Sequence, residues 1–166
     1  MNLVAQALLD SPVGRIAIFD NGKHLTAIDI FPGDINYRQD NTTNLTQHIV
    51  EQLRAYFSKS ASKACDLSEI PIKPKGTEFQ QSVWQLMQAI PCGSSWTYGE
   101  MASQLETSPR AIGGACRRNP IPIVVPCHRV VAASGIGGYS GQWKAGKRVD
   151  VKQWLLAHEK QRLIST

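Results

Sequence analysis

The sequence predicts an α+β protein in two parts: a small N-terminal α/β unit with an antiparallel hairpin over residues 1–74, and a helical C-terminal domain with a helix-turn-helix over residues 75–166. Three observations carry this expectation. Residues 4–31 alternate around Asp20-Asn21-Gly22, with RIAIF before the turn and LTAIDIF after it, as two strands joined by an Asn-Gly turn do. The stretch IPIKPKGT, 70–77, holds two prolines and a glycine without a helical period, so it connects two units with a boundary near Lys75. Beyond it, short segments of helical spacing alternate with turn residues.

Taken in order, the hairpin starts an antiparallel sheet. Leu45, Ile49, Leu53, Tyr56 and Phe57 then recur at helical spacing between Asn44 and Phe57, so one face of a helix packs on that sheet. Thr77 followed by Gln80 is a capping box, and Phe79, Val83, Leu86, Met87 and Ile90 form the apolar stripe of a helix that ends at Pro91-Cys92-Gly93. Thr97 to Leu105 is a short helical pattern, and Ser108-Pro109 opens another that runs to about Arg118. Two short helices across a tight turn suggest a helix-turn-helix. Asn119-Pro120-Ile121-Pro122 cannot be helical, and Ile123-Val124-Val125 reads as a brief buried strand leading to Pro126-Cys127-His128-Arg129. After a Gly-rich loop, Ser134 to Gly141, the residues Val151, Trp154, Leu155 and His158 mark a final helix.

At 166 residues and 42% hydrophobic, the chain can bury an ordinary core. No apolar run approaches the roughly 20 residues that span a bilayer, and the N-terminus lacks an export pattern, so no membrane association and a cytoplasmic location are expected. Cys65, Cys92, Cys116 and Cys127 form no CxxC pair, which argues against a zinc site or disulfide framework and for four thiols. Net charge is +5, with the basic excess in the second half, clustered at Arg117-Arg118 and from Lys144 to Lys152. That distribution permits a footprint on nucleic acid without requiring one.

Chemistry concentrates at Cys127. A thiol becomes a good nucleophile beside a base or a positive charge, and His128 and Arg129 follow it directly, favouring the thiolate. Pro126 fixes the incoming backbone, so thiol and imidazole can converge on one pocket, directly or through a water. By itself a Cys-His dipeptide is more often a buried thiol beside a surface histidine.

Its surroundings shift that balance. The run RAIGGACRRNPIPIVVPCHRVV, Arg110 to Val131, with TYGEMA at Thr97–Ala102 ahead and GGYSG at Gly137–Gly141 and WLLAHE at Trp154–Glu159 behind, closely resembles the O6-alkylguanine-DNA alkyltransferase family. The resemblance spans about ninety residues with several motifs in the family's order; the N-terminal half resembles it only through DSPVG.

The resemblance implies a specific division of labour. Cys127 would accept the alkyl group, His128 would act as its base through a bound water, and Glu159 would orient His128. Tyr98 would donate a proton to the departing guanine and crowd the phosphate so that the nucleotide rotates outward. Arg110 would enter the base stack in place of the flipped alkylguanine. The helix carrying Ala111, Gly113, Gly114, Arg117 and Arg118 would lie in the minor groove of double-stranded DNA, largely independent of sequence, its small residues permitting close approach. Asn119 would be a hinge, Pro122 a pocket wall, and Tyr139, Ser140 and Gly141 the loop contacting guanine. The N-terminal unit would be RNase-H-like. The reaction would be one in-line displacement giving a thioether that nothing in the site hydrolyses, performed once by a monomer without cofactor or metal; O4-alkylthymine stays open as a second substrate. Bland readings exist beside these: Glu159 as a solvated residue at a helix end, Tyr98 as packing, Arg110 as a phosphate contact, the small residues as tight helix packing.

The chain departs from the family pattern in three places. Eleven residues separate Tyr98 from Arg110, about two fewer than expected, which requires a tighter turn. About six residues are inserted within Gln142–Val149, including Trp143, Lys144, Lys147 and Arg148, as a solvated loop or an added phosphate contact. Cys116 stands where a larger apolar residue is common, enlarging the pocket. Two rival readings stay open: a binding module that flags alkylated bases without reacting, which usually carries Trp in place of the cysteine, and a Cys-His hydrolase, which needs an oxyanion hole that the sequence does not reveal.

Overall fold

The structure, a computed structural model, describes residues 3–31, 36–58, 65–133 and 147–164, with the backbone alone at 147–150 and 162–164. It divides into two compact units, Met1–Lys75 and Gly76–Thr166. The α+β class expected from the sequence holds. No helix among the described residues is long and apolar enough to cross a membrane.

In the first unit, β2 (Ala7–Ser11), β3 (Gly14–Asp20) and β4 (Leu25–Phe31) form an antiparallel sheet with β3 central. Ile16, Ala17 and Ile18 are all fully buried, so β3 is covered on both faces. A feature the alternation did not predict is a separate parallel pair, β1 (Leu3–Ala5) with β5 (Tyr37–Gln39). Tyr37 from this pair packs its ring against Phe19 and Phe31, and its hydroxyl donates to the Asp29 carboxylate.

The predicted Asn-Gly turn is wider than two residues. It spans Asn21 to His24 because the Asn21 side chain accepts from the amides of both Lys23 and His24 while Gly22 takes a positive φ of 87°. Helix α1 (Asn44–Phe57) packs Ile49, Leu53 and Tyr56 against β2 and β3. Its first turn is locked by a capping box between Thr43 and Thr46, and the buried Asp20 carboxylate accepts from the Thr46 hydroxyl at 2.6 Å. An acid at a helix N-terminus is favoured by the exposed amide dipoles, so Asp20 ties the hairpin to α1. The Pro-rich connection is pinned as far as Lys73, through Leu25 N–H to Pro71 O and Lys73 N–H to Leu25 O. Cys65 is disulfide-bonded, against the expectation of four thiols. Cysteine pairing follows from proximity in the fold, and the lack of a CxxC spacing does not report on that.

The second unit begins with α2 (Glu78–Gln88), opened by the expected Thr77–Gln80 capping box. Its buried face is Val83, Trp84 and Met87, continued by Ile90; Phe79, assigned to the stripe, is exposed because it lies in the first turn, ahead of that face. Cys92, just after this helix, is also disulfide-bonded, whereas Cys116 and Cys127 are thiols. A short strand β6 (Trp96–Thr97) runs directly into α3 (Tyr98–Gln104), whose N-cap is Thr97 with Glu100 completing a box.

The turn to the next helix is tight, as the short spacing requires. It closes through Thr107 N–H to Ala102 O with Glu106 at a positive φ of 53°. Helix α4 (Pro109–Arg117) follows, capped by Ser108 with Pro109 in its first turn. Ile112, Ala115 and Cys116 are its buried residues, and the Trp84 indole donates to Ala115 O at 2.9 Å to hold α4 on α2.

The chain then departs from the expected strand. Ile121 to Val125 is a turn closed by Val125 N–H to Ile121 O, with Ile123 at a φ of 76°. Asn119 imposes it: the side-chain amide donates to Val125 O at 2.8 Å while its oxygen accepts from Ile121 N–H at 2.9 Å. A β-branched residue at positive φ is strained, by about 1–3 kcal/mol, and survives only where its surroundings hold it. The turn delivers a 3-10 segment, Cys127–Arg129, and then β7 (Val130–Val131), which pairs in parallel with β6. Helix α5 (Lys147–Ile164) completes the unit. It begins within the predicted insertion, which is therefore partly helical, while Trp143 and Lys144 lie outside the described residues.

Candidate active site

Every group described below belongs to the second unit. Cys127, His128 and Arg129 occupy consecutive positions of the 3-10 segment and are all buried. Helix α5 packs against that segment and brings Glu159 to it. The His128 Nε2 lies 2.7 Å from Glu159 Oε2, and the Arg129 guanidinium forks onto the same carboxylate, Nε donating to Oε1 at 2.8 Å and Nη2 to Oε2 at 3.0 Å. The remaining Arg129 nitrogen, Nη1, donates to Ile90 O at 2.8 Å. The bland reading of Glu159 as a solvated helix-end residue is excluded, since its side chain is fully buried.

Electrostatics fix the protonation states. Burial pushes the Glu159 carboxyl up, but His128 and Arg129 outweigh it and hold the group well below the usual carboxylate range. An ionised carboxylate only accepts, so His128 Nε2 carries the hydrogen and Nδ1 the bare lone pair. Nδ1 is buried and has no hydrogen-bond partner among the described residues. Burial lowers the His128 pKa below its ordinary 6.5, with Arg129 and Lys152 adding to the effect and Glu159 opposing it. The imidazole is therefore neutral at pH 7, with its basic nitrogen on the side away from Glu159.

Tyr98 reaches the same neighbourhood by a different route. It starts α3 directly after β6, and β6 pairs with β7, the strand that follows the 3-10 segment. Burial is the main cause raising the pKa of its hydroxyl above the ordinary 10, and the thiols of Cys116 and Cys127 add to it, so the phenol keeps its proton. Burial likewise pushes the Cys116 thiol up, with Cys127 contributing.

Lys152 is the residue that sequence reasoning missed. It belongs to the basic cluster from Lys144 to Lys152, counted above as charge that permits a nucleic-acid footprint, yet it is fully buried, with its ammonium 5.6 Å from the centre of the Tyr98 ring. Burial lowers its pKa from 10.5 to about 8, against the pull of Cys127 and Cys116, which favour the charged form. A signal was available: Lys152, Leu155 and Glu159 stand three and seven residues apart on α5, one face of a helix, and Leu155 is apolar.

The α4 surface divides sharply. Arg110, Arg117 and Arg118 are exposed, Gly113 and Gly114 are half-buried, and Ala111 lies beside them. A Cβ on Gly113 would meet nothing within 4 Å, and one on Gly114 would meet only the Arg118 guanidinium at 3.8 Å. Packing against the described residues does not require these glycines, which argues against the tight-packing reading for this pair. Pro122 is half-buried in the strained turn. Tyr139, Ser140 and Gly141 lie outside the described residues.

Known proteins resemble the chain over both of its units. Residues 78–161 match the family model described as 6-O-methylguanine DNA methyltransferase, DNA binding domain, and residues 4–74 that of its ribonuclease-like domain. Among relatives named methylated-DNA–protein-cysteine methyltransferase, that of Methanosarcina mazei is 41% identical over 120 residues, 70% of each chain. The one from Haemophilus influenzae is 34% identical over 157 residues, covering 90% of this chain and 83% of its own. Among solved structures, Mycobacterium tuberculosis OGT in complex with DNA superposes with a TM-score of 0.76 at 33% identity, covering 93% of this chain and 92% of that one.

Proposed function

This chain belongs to the 6-O-methylguanine DNA methyltransferase family, and from that premise we propose that it repairs DNA by moving the alkyl group of O6-alkylguanine onto the sulfur of Cys127. The observation that carries the reading is the pairing of His128 with a buried, ionised Glu159, which leaves a basic Nδ1 in the same 3-10 segment as the Cys127 thiol.

The steps balance. The thiol proton passes to His128 Nδ1, directly or across a water, and the thiolate attacks the alkyl carbon. A carbon–sulfur bond forms as the carbon–O6 bond breaks, its electron pair leaves with guanine, and the Tyr98 hydroxyl supplies a proton to the base. The buried Lys152 ammonium, whose charged form Cys127 favours and which lies near the Tyr98 ring, favours negative charge on the sulfur and then on the phenol oxygen. The product is a thioether, so each molecule reacts once.

DNA is engaged through α4. Arg110 at its start, with Arg117 and Arg118, supplies positive charge, while the open surface at Gly113 and Gly114 supports close approach to a minor groove. Arg110 takes the place of the base that rotates into the site, Pro122 walls the pocket, and the protein acts as a monomer. Asn119, bonded to both ends of the strained turn, is the hinge between α4 and the 3-10 segment.

Intact-mass and peptide mass spectrometry after incubation with a duplex containing O6-methylguanine tests the reading. One added methyl, located on Cys127, is expected, with no further turnover; Cys127→Ala takes none and still binds the duplex. Unchanged mass in the wild-type protein, or repeated turnover, refutes the proposal.

A further inference from the structure

Arg129 has no part in the transfer steps just described, yet its guanidinium is buried and all three of its nitrogens are engaged: two on the Glu159 carboxylate, one on Ile90 O. We infer that Arg129 is a positioning residue that holds Glu159 in plane against His128 and, by cancelling the carboxylate charge, keeps the His128 imidazole neutral and ready to take a proton.

Geometry comes first. A carboxylate hydrogen-bonded by one histidine alone can rotate about its terminal torsion, whose preferences are broad. The Arg129 fork, planar and bidentate, occupies both Glu159 oxygens and removes that freedom. Nη1 on Ile90 O ties the fork in turn to the backbone beyond α2. Oε2 is thereby aimed at His128 Nε2, which fixes the ring so that Nδ1 is the nitrogen left to accept.

Charge acts in the same direction. Arg129, Glu159 and a neutral His128 sum to zero, so protonating His128 creates a net buried cation with Lys152 already nearby. Removing the guanidinium would leave Glu159 with a neutral imidazole and a net charge of minus one. Protonation would then neutralise the pair, so the imidazolium, which has no lone pair at Nδ1, would form at higher pH than in the wild-type protein. Among the described residues, the charged groups that act on His128 are Glu159 and Lys152 from α5 and Arg129 from its own segment, where the Cys127 thiol is its chain neighbour. The other helix packed on that segment, α2, carries one charged residue, Glu78, exposed in its first turn and far from Ile90 along the chain.

The inference rests on the alkyl-transfer reading for its purpose but not for its test. The titration of His128 is followed by NMR in the wild-type protein, Arg129→Met and Arg129→Lys, with the signal assigned by its loss in His128→Gln. Methyl transfer to Cys127 is measured across the same pH range. In the wild-type protein, the His128 midpoint lies below the ordinary 6.5. In Arg129→Met its midpoint rises by about one to two pH units, the size expected for removing a charge about 6 Å away in a partly polar interior, and the acid side of the transfer profile moves up with it. Arg129→Lys, which keeps the charge and loses the fork, stays within about half a unit of wild type. A His128 midpoint unchanged in Arg129→Met, or one moved equally by Met and Lys, overturns the inference. If Arg129→Met does not fold, the wild-type titration decides: protonation at or above pH 6.5 overturns the inference. Absence of methyl transfer in the wild-type protein would sink the functional reading instead, with the His128 titration still judging Arg129.

Discussion

Lys152→Met is expected to make the protein more stable and less active at once. The lysine is fully buried, and its pKa falls from 10.5 to about 8, chiefly through desolvation. At pH 7, below both values, that gap is a destabilisation of about 3 kcal/mol, because the folded state must hold a charge that water solvates better. Methionine keeps nearly the same length and volume without the charge. Against the gain stands the cation–ring contact with Tyr98, worth about 1 kcal/mol at a desolvated site. A net stabilisation of about 2 kcal/mol remains, or a rise in Tm of about 4–8 °C for a chain of this size.

The pH dependence supplies a second, independent reading. The folded-state pKa is the lower one, so between about 8 and 10.5 the unfolded chain binds more protons than the folded one, and wild-type stability rises with pH across that window. The advantage of Lys152→Met is therefore full below pH 8 and shrinks towards zero as pH approaches 10.5. Thermal unfolding of both proteins at pH 7 and pH 10, together with single-turnover methyl transfer at pH 7, tests this directly. Transfer should slow by at least about tenfold, since one unit of charge beside a developing anion commonly supplies that much. A variant that unfolds earlier at pH 7, or whose advantage does not shrink at pH 10, refutes the stability argument. One that is more stable and equally fast refutes the catalytic role.

Gly113→Ala should stabilise α4 by about 0.5–1 kcal/mol, because alanine is the better helix former and its methyl meets open space, while duplex binding, read by fluorescence anisotropy, weakens; unchanged binding would mean that DNA does not approach this face closely. Asn119→Ala should cost about 2–3 kcal/mol in denaturant unfolding, since Val125 O and Ile121 N–H lose their partners beside a strained Ile123, and methyl transfer should slow with it; Asn119→Asp, which keeps the acceptor and loses the donor, should fall between. Equal behaviour of both variants and wild type would show that the turn does not depend on Asn119.

Local signals were the legible ones. Thr77 with Gln80, Ser108 with Pro109, and the periodicity of Asn44–Phe57 each involve residues a few positions apart, and each produced the element expected. The apolar run Ile123-Val124-Val125 misled for the opposite reason. Its shape is set by hydrogen bonds from Asn119, whose side chain competes for the backbone groups that a strand would need, and β-propensity carries no information about that competitor. The parallel pairing of β1 with β5 was illegible in the same way, because partners more than thirty residues apart leave no periodic trace in either segment.

Lys152 shows where the two kinds of information meet. A lysine amid Lys144, Lys147 and Arg148 reads as solvated when charge is counted along the chain, yet counted around the helix it shares a face with Leu155 and Glu159. That face carries opposite charges seven residues apart and both are buried, a costly arrangement that packing alone would select against. Glu159 is matched by Arg129 and His128, whereas the groups that draw Lys152 towards its charged form are Cys127 and Cys116. Negative charge on the sulfur favours this buried ammonium further, at the moment when a transfer from carbon to sulfur needs it.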